Sequence, residues 1–337
     1  MVIQQTDVVI IGAGPVGLFA VFECGMMGLK CHVVDTLEMV GGQCTALYPE
    51  KPIYDIPAFP RISAADLIDN LKKQGEPFNP VYHMGQQVVS LEKTAENDWL
   101  LQTSTGTTLL AHAVLIAAGV GSFGPNRPPL EGIEDFEGKS IFYYVKNRED
   151  FRGTRLVIAG GGDSAVDWAI SLSELAEKVT VVHRRPKFRA APESESQLQR
   201  LADEGVIELA IPFQLEGLIG HQGHLKTVIV KSLDGMVREI PADVLLPFYG
   251  LSMNLGPIAD WGLQLDMTHI KIDPKDCSTN TPGIFAIGDI ATYPHKLKLI
   301  LTGFAEAASA AHAIRAYIHP DAVYHFEYST TSGVTGL

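Results

Sequence analysis

One stretch near the start constrains this chain more than any other: Asp7-Val8-Val9-Ile10-Ile11-Gly12-Ala13-Gly14-Pro15-Val16-Gly17. Four β-branched residues run together with no polar interruption. That pattern suits a strand buried on both faces of a parallel sheet. Glycines follow at 12, 14 and 17, and Leu18-Phe19-Ala20-Val21-Phe22 then reads as a helix. Strand, Gly-x-Gly-x-x-Gly and helix in this order form a dinucleotide fingerprint in its required context. Gly12 permits the tight turn, Gly14 lets backbone approach a pyrophosphate, and Gly17 lets helix and strand pack closely. The helix N-terminus offers free N–H groups and a positive dipole end to phosphate. The next strand, Cys31-His32-Val33-Val34, ends at Asp35, where a carboxylate meets a ribose hydroxyl pair. A secretory leader is a poor reading of the same stretch. Asp7 precedes it, no Lys or Arg does, and the glycines interrupt an apolar helix.

The motif then repeats. Arg155-Leu156-Val157-Ile158-Ala159-Gly160-Gly161-Gly162-Asp163-Ser164-Ala165 is again strand, glycines, helix. A shift of 148 residues carries Gly12 onto Gly160, Gly14 onto Gly162, Gly17 onto Ala165 and Asp35 onto His183. In place of an acid, the second copy has His183-Arg184-Arg185-Pro186-Lys187-Phe188-Arg189. A 2′-phosphate needs opposite charge and several donors, and Arg supplies a planar fork of them. The second site is therefore expected to prefer NADPH over NADH.

The remaining chain supports a large α/β protein of 337 residues. Met39–Pro49 contains Gly41-Gly42 and reads as a loop whose backbone approaches something closely. Ser63 is placed to cap a helix over 64–74. Val88–Thr108 alternates like antiparallel strands, and 111–119 returns as a buried strand. A second antiparallel patch follows Glu208, and Asp243–Gly250 mirrors the strand at 113–119. Thr281–Asp289 is a strand ending in Gly-Asp, and Leu299–Ile318 an Ala-rich helix. Net charge is −13, which argues against bulk nucleic-acid affinity. No run approaches the roughly 18 uncharged apolar residues of a membrane span. The four cysteines, Cys24, Cys31, Cys44 and Cys277, form neither Cys-x-x-Cys nor a zinc pattern. They read as reduced thiols of a cytoplasmic protein with no metal site.

With these residues in hand, the chain resembles the two-dinucleotide-domain flavoprotein disulfide reductases. GAGPVG (Gly12, Gly14, Pro15, Gly17) with Asp35 matches that family's FAD fingerprint. GGGDSA (Gly160, Gly162, Asp163, Ser164, Ala165) with His183, Arg184, Arg185 and Arg189 matches its NADPH fingerprint. Thr281–Asp289 matches its second flavin motif, which implies that Asp289 meets the ribityl chain. The resemblance implies an α/β fold of two Rossmann-like FAD/NAD(P)-binding domains, the second inserted in the first. The implied FAD domain is 1–120 with 252–337 and the implied NADPH domain 126–248, with linkers near 121–125 and 249–251.

What is missing narrows the subfamily. Thioredoxin reductases carry Cys-x-x-Cys ahead of the second glycine motif, where this chain has Ile141–Asn147 and no cysteine. Glutathione-reductase types carry Cys-x-x-x-x-Cys, where this chain has Cys44 and then Pro49. The remaining resemblance is to thioredoxin-reductase-like ferredoxin–NADP⁺ oxidoreductases. It implies hydride transfer from NADPH to FAD, then single electrons to ferredoxin or flavodoxin, reversibly. GGQCTALYPEK implies that Gly42 and Gln43 touch FAD and that Tyr48 stacks on one flavin face. The C-terminal Tyr328-Ser329-Thr330 implies a second aromatic, Tyr328, over the other face, with His325 and Phe326 as fallbacks. No residue is assigned as general acid or base. A homodimer is implied, and Lys296 and Lys298 are candidates for a basic face toward an acidic carrier. Two other readings compete: a disulfide or peroxide reductase working through Cys44 alone, and a non-enzymatic redox sensor that binds flavin and NADPH.

Overall fold

The computed structural model describes residues 3–322 and 333. Tyr328, Ser329 and Thr330, like His325 and Phe326, lie outside the described residues. The chain divides into two units, residues 1–123 with 253–337 and residues 124–252.

The first unit opens with β1 (Ile3–Ile11), α1 (Pro15–Met26) and β2 (Cys31–Val34). Next come α2 (Gln43–Leu47), the short pair β3 (Pro52–Ile53) and β4 (Ile62–Ser63), and α3 (Ala64–Gly75). Ser63 caps α3 by accepting the Asp66 N–H at 3.0 Å. The strands β5 (Val81–His83), β6 (Val88–Lys93), β7 (Trp99–Thr103) and β8 (Thr108–Ile116) follow. β1 lies between β2 and β8, parallel to both, with Ile10 opposite Val33 on one side and Leu115 on the other. Val8, Val9 and Ile10 are fully buried, which is why this run carries no polar residue.

The chain crosses at β9 (Ser122–Pro125) into the second unit. There β10 (Arg155–Gly160), α4 (Asp163–Leu172), β11 (Lys178–Val182), α5 (Pro192–Asp203) and β12 (Ile207–Ala210) form a parallel β-α-β-α-β run. An antiparallel sheet of β13 (Phe213–His221), β14 (His224–Ser232) and β15 (Val237–Pro241) precedes β16 (Val244–Phe248). β16 returns to pair with β10, so the parallel sheet has the order β12-β11-β10-β16.

The chain crosses back at β17 (Leu251–Asn254). β18 (Leu265–Asp266), β19 (His269–Lys271), β20 (Ile284–Ala286), β21 (Ala291–Thr292) and α6 (Ile300–Ile318) complete the first unit. β20 lies parallel to the C-terminal half of β8, while β7 occupies the N-terminal half of that same strand. α6 packs against α1, with the Phe19 and Phe304 ring centroids 4.8 Å apart.

Two local expectations need correcting. Met39–Pro49 is not all loop, because residues 43–47 wind into α2 once the chain has turned at Gly41 and Gly42. A five-residue helix is too short to show apolar periodicity. Lys296 is not an exposed docking cation. Its side chain is 5 % exposed and pairs with Glu306, itself 7 % exposed. Among the described residues, no helix is long and apolar enough to cross a membrane, and no three His, Cys, Asp or Glu side chains cluster to hold a metal.

Candidate functional site

In the first unit, the glycine turn sits where β1 hands over to α1. Gly12 adopts φ +113°, and a methyl there would overlap the Ala117 carbonyl oxygen. Its N–H donates to Val34 O at 2.8 Å, tying the turn to the end of β2. A methyl on Gly17 would overlap the Gly12 carbonyl oxygen, so that glycine is required by helix-to-turn contact. Gly14 differs, since a methyl there would meet nothing within 4 Å. It is the N-cap of α1, with Pro15 at the first helical position and no side chain capping the turn. The open space above Gly14 and the uncapped helix end suit a phosphate group.

Asp35 closes this site from the end of β2. Its Oδ2 accepts the Ala13 N–H at 2.6 Å and its Oδ1 accepts the Leu37 N–H at 2.8 Å. Burial pushes the carboxyl above its ordinary value, and the N–H bonds from Leu37 and Ala13 oppose that shift. The loop before α2 lies directly on the glycine turn. Gly41 N donates to Ala13 O at 2.8 Å, and a methyl on Gly42 would stand 3.0 Å from Gly14 Cα. Gln43 opens α2, and its Nε2 would stand 3.7 Å from a methyl on Gly119. Tyr48 ends α2, with its hydroxyl 3.9 Å from the buried Cys44 Sγ. Burial is the main cause pushing the Tyr48 phenol up, and the Cys44 thiol and Asp289 add to it. Burial also raises the Asp289 carboxyl, while Lys298 and Lys296 pull it down.

The Cys44 thiol is pushed up to about 11, chiefly by burial. All four cysteines are buried and free. A thiol in that condition is not the accessible thiolate that disulfide chemistry needs.

The second unit repeats the arrangement with different chemistry. A methyl on Gly160 would stand 2.6 Å from Phe248 O and 3.0 Å from the Ala165 methyl, which explains the tight join of β10 to α4. Gly162 is the N-cap of α4, again without a side-chain cap. Asp163 does not face open solvent alone, because its Oδ1 accepts the Ala191 N–H at 2.9 Å and ties the start of α5 to this turn. Ser164 is exposed in the first turn of α4. The cationic loop after β11 returns to the glycines, with Arg189 N donating to Gly161 O at 2.7 Å. Arg184, Arg185 and Arg189 are exposed around it.

His183 is set more firmly than its neighbours. Its ring stacks on Phe188 with centroids 5.1 Å apart and planes 22° apart, and its Nε2 lies 3.2 Å from Lys187 O. Burial lowers its pKa, the Lys187 carbonyl raises it, and Arg185, Arg184 and Arg189 lower it further. A methyl on Gly161 would fall inside this ring. Gly161 and Phe188 were not singled out from sequence. The third consecutive glycine and an aromatic within a basic loop are the signals the sequence offers.

The chain is similar to known proteins over nearly its whole length. Residues 6–313 match the model of the pyridine nucleotide-disulphide oxidoreductase family. A ferredoxin–NADP reductase of Paramagnetospirillum magneticum is 62 % identical over 331 residues, covering 98 % of each chain. One from Rhodospirillum rubrum is 61 % identical over 336 residues, covering 99 % of this chain and 97 % of its own. Among solved structures, thioredoxin reductase of Lactococcus lactis superposes with a TM-score of 0.81 at 25 % identity, over 94 % of this chain and 99 % of its own. The two glycine turns, their opposite flanking charges and these matches together lead to one assignment: the chain belongs to the pyridine nucleotide-disulphide oxidoreductase family.

Proposed function

We propose that this chain is a ferredoxin–NADP reductase that binds FAD in its first unit and NADPH in its second. The observation that carries this reading is a pair of dinucleotide turns in a chain with neither a Cys-x-x-Cys nor a Cys-x-x-x-x-Cys dithiol. Every cysteine is buried, and Cys44 is held as a neutral thiol. Electrons taken from NADPH then have no internal disulfide to reach and leave to an external carrier. The identity to ferredoxin–NADP reductases along almost the entire chain supports ferredoxin as that carrier.

When bound, FAD supplies the exchange between one two-electron hydride and two single electrons. The chain's own residues hold and orient. The uncapped N-terminus of α1 and the open Gly14 backbone receive the pyrophosphate. Asp35 receives the adenosine ribose, and Asp289 the ribityl chain. Tyr48 packs one face of the ring from the end of α2, with Gly42 and Gln43 beside it. Tyr328, with Ser329 and Thr330, would cover the other face and give way to nicotinamide. In the second unit, the turn Gly160–Ala165 takes the NADPH pyrophosphate. His183, Arg184, Arg185 and Arg189 take its 2′-phosphate, with charge-assisted bonds of roughly 1.5–3 kcal/mol each. The proposal includes flavodoxin as a second carrier, a homodimer and a cytoplasmic location.

The test offers ferredoxin, thioredoxin and free flavin separately and follows NADPH oxidation. Fast turnover with ferredoxin, and none with thioredoxin, is the expected result. Thioredoxin-dependent turnover would overturn the proposal in favour of thiol chemistry. Binding of both nucleotides without turnover would indicate a sensor. Sedimentation of the holoprotein checks the dimer.

A further inference from the structure

The Gly288–Asp289 turn is held by a buried carboxylate that the proposed function does not use. Glu306, on α6, places its side chain against this turn with 7 % exposure. Its Oε2 accepts the Gly288 N–H at 2.7 Å. Its Oε1 accepts the Tyr293 O–H at 2.8 Å and also the Lys296 ammonium. Lys296 is itself 5 % exposed and lies 5.1 Å over the Tyr293 ring. Gly288 turns at φ +72°, and a methyl there would touch Val16 at 3.5 Å. Val16 is the second residue of α1, one position past Pro15. Glu306 thus fixes the Ile287–Gly288 peptide, one residue ahead of Asp289, at a turn that packs on the start of α1.

Burying a carboxylate and an ammonium together is costly, and an apolar pair of similar volume serves stability as well or better. What an apolar pair cannot do is accept the Gly288 N–H. We infer that Glu306 is a positioning residue for the cofactor turn, holding Asp289 in place for the flavin, and that Lys296 serves to neutralise it. Lys296 belongs to this device and not to a docking surface. The inference rests on the proposed seating of FAD in the first unit.

The test compares two double variants of the full-length holoprotein. Lys296→Met/Glu306→Gln removes both charges but keeps a carbonyl oxygen to accept the Gly288 N–H. Lys296→Met/Glu306→Leu removes both charges and the acceptor. Two quantities are read: FAD dissociation, from the rise of flavin fluorescence on dilution, and thermal unfolding in excess FAD. The Gln variant is expected to keep FAD within about threefold of wild type. The Leu variant is expected to lose it at least tenfold faster, while unfolding within a few degrees of the Gln variant. A purely structural pair would move FAD affinity and unfolding together, and equal FAD retention in both variants would overturn the inference. Lys296→Met/Glu306→Met, with a more adaptable side chain, replaces the Leu variant if that one does not fold. A wild-type chain that takes up no FAD would overturn the underlying seating as well, so the two failures are distinguishable.

Discussion

Gly161→Ala is a small change with a sharply defined consequence. The backbone at 161 does not require glycine, since its φ lies outside the left-handed region. The space requires it, because the added methyl would occupy the His183 ring. A ring at the end of one side chain can move, so the strand and helix around it are expected to stay folded. Moving it forfeits the stack on Phe188, worth roughly 0.5–1.5 kcal/mol. It also removes His183 as a partner of the 2′-phosphate, whose negative charge would draw a proton onto the free Nδ1 and gain a charge-assisted bond worth roughly 1.5–3 kcal/mol. The second loss alone weakens NADPH by about 10- to 150-fold, at 1.4 kcal/mol per tenfold. NADH has no 2′-phosphate and is expected to change by less than about threefold. The assay titrates both nucleotides into wild type, Gly161→Ala, His183→Ala and the double variant. The double variant should bind NADPH no worse than His183→Ala alone, because the methyl then meets no ring. Equal weakening of NADPH and NADH by Gly161→Ala would refute the reasoning, since it would place the damage at the shared pyrophosphate.

Gly12→Ala should abolish recovery of folded, flavin-loaded protein, because its methyl meets immovable backbone at Ala117 and its φ is +113°. Gly14→Ala meets nothing within 4 Å, so the chain should unfold at a near-normal temperature yet purify with little flavin absorbance. Cys44→Ser should leave ferredoxin-dependent NADPH oxidation within about twofold, since a thiol near 11 is about one part in ten thousand ionised at neutral pH; loss of activity would favour thiol chemistry. His32 and His83 are buried with Nδ1 and Nε2 2.9 Å apart. Burial lowers both, and His83 lowers His32 further, from an ordinary value of 6.5. The folded state then binds fewer protons than the unfolded one, so this contribution is present above pH 6.5 and is lost as pH falls below it. The melting temperature should drop between pH 7.5 and 5.5 in wild type and drop less in His83→Gln, as thermal scans would reveal.

The α/β class was legible because its signals are local. The apolar run at Val8–Ile11, the glycines after it and the acid at 35 lie within one β-α-β unit, and the second copy repeats the pattern. The strand expected over 281–289, found at Ile284–Ala286, and the Ala-rich helix expected over 299–318, found at Ile300–Ile318, were legible for the same reason. The features that escaped depend on groups far apart in sequence. Lys296 looked like a surface cation because nothing near it in sequence shows that Glu306 will meet it inside the protein. The His32–His83 contact joins positions 51 residues apart on β2 and β5. The need for Gly161 comes from the His183 ring in the space beside it, 22 positions away in sequence. Helix α2 follows from the way Gly41 and Gly42 turn against Ala13 and Gly14, which no window of residues 43–47 contains.

The parallel pairing of β20 with β8 has a consequence for the order of synthesis. β8 is complete at Ile116, but its partner Ile284–Ala286 emerges only after the whole of residues 124–252. The second unit is one uninterrupted stretch and can finish folding while the first still waits. During that interval the C-terminal half of β8 has a bare edge, and Phe19 on α1 lacks Phe304. A nascent chain is then open to mispairing along this edge of β8. The unit whose strands are made before residues 124–252 closes only after them.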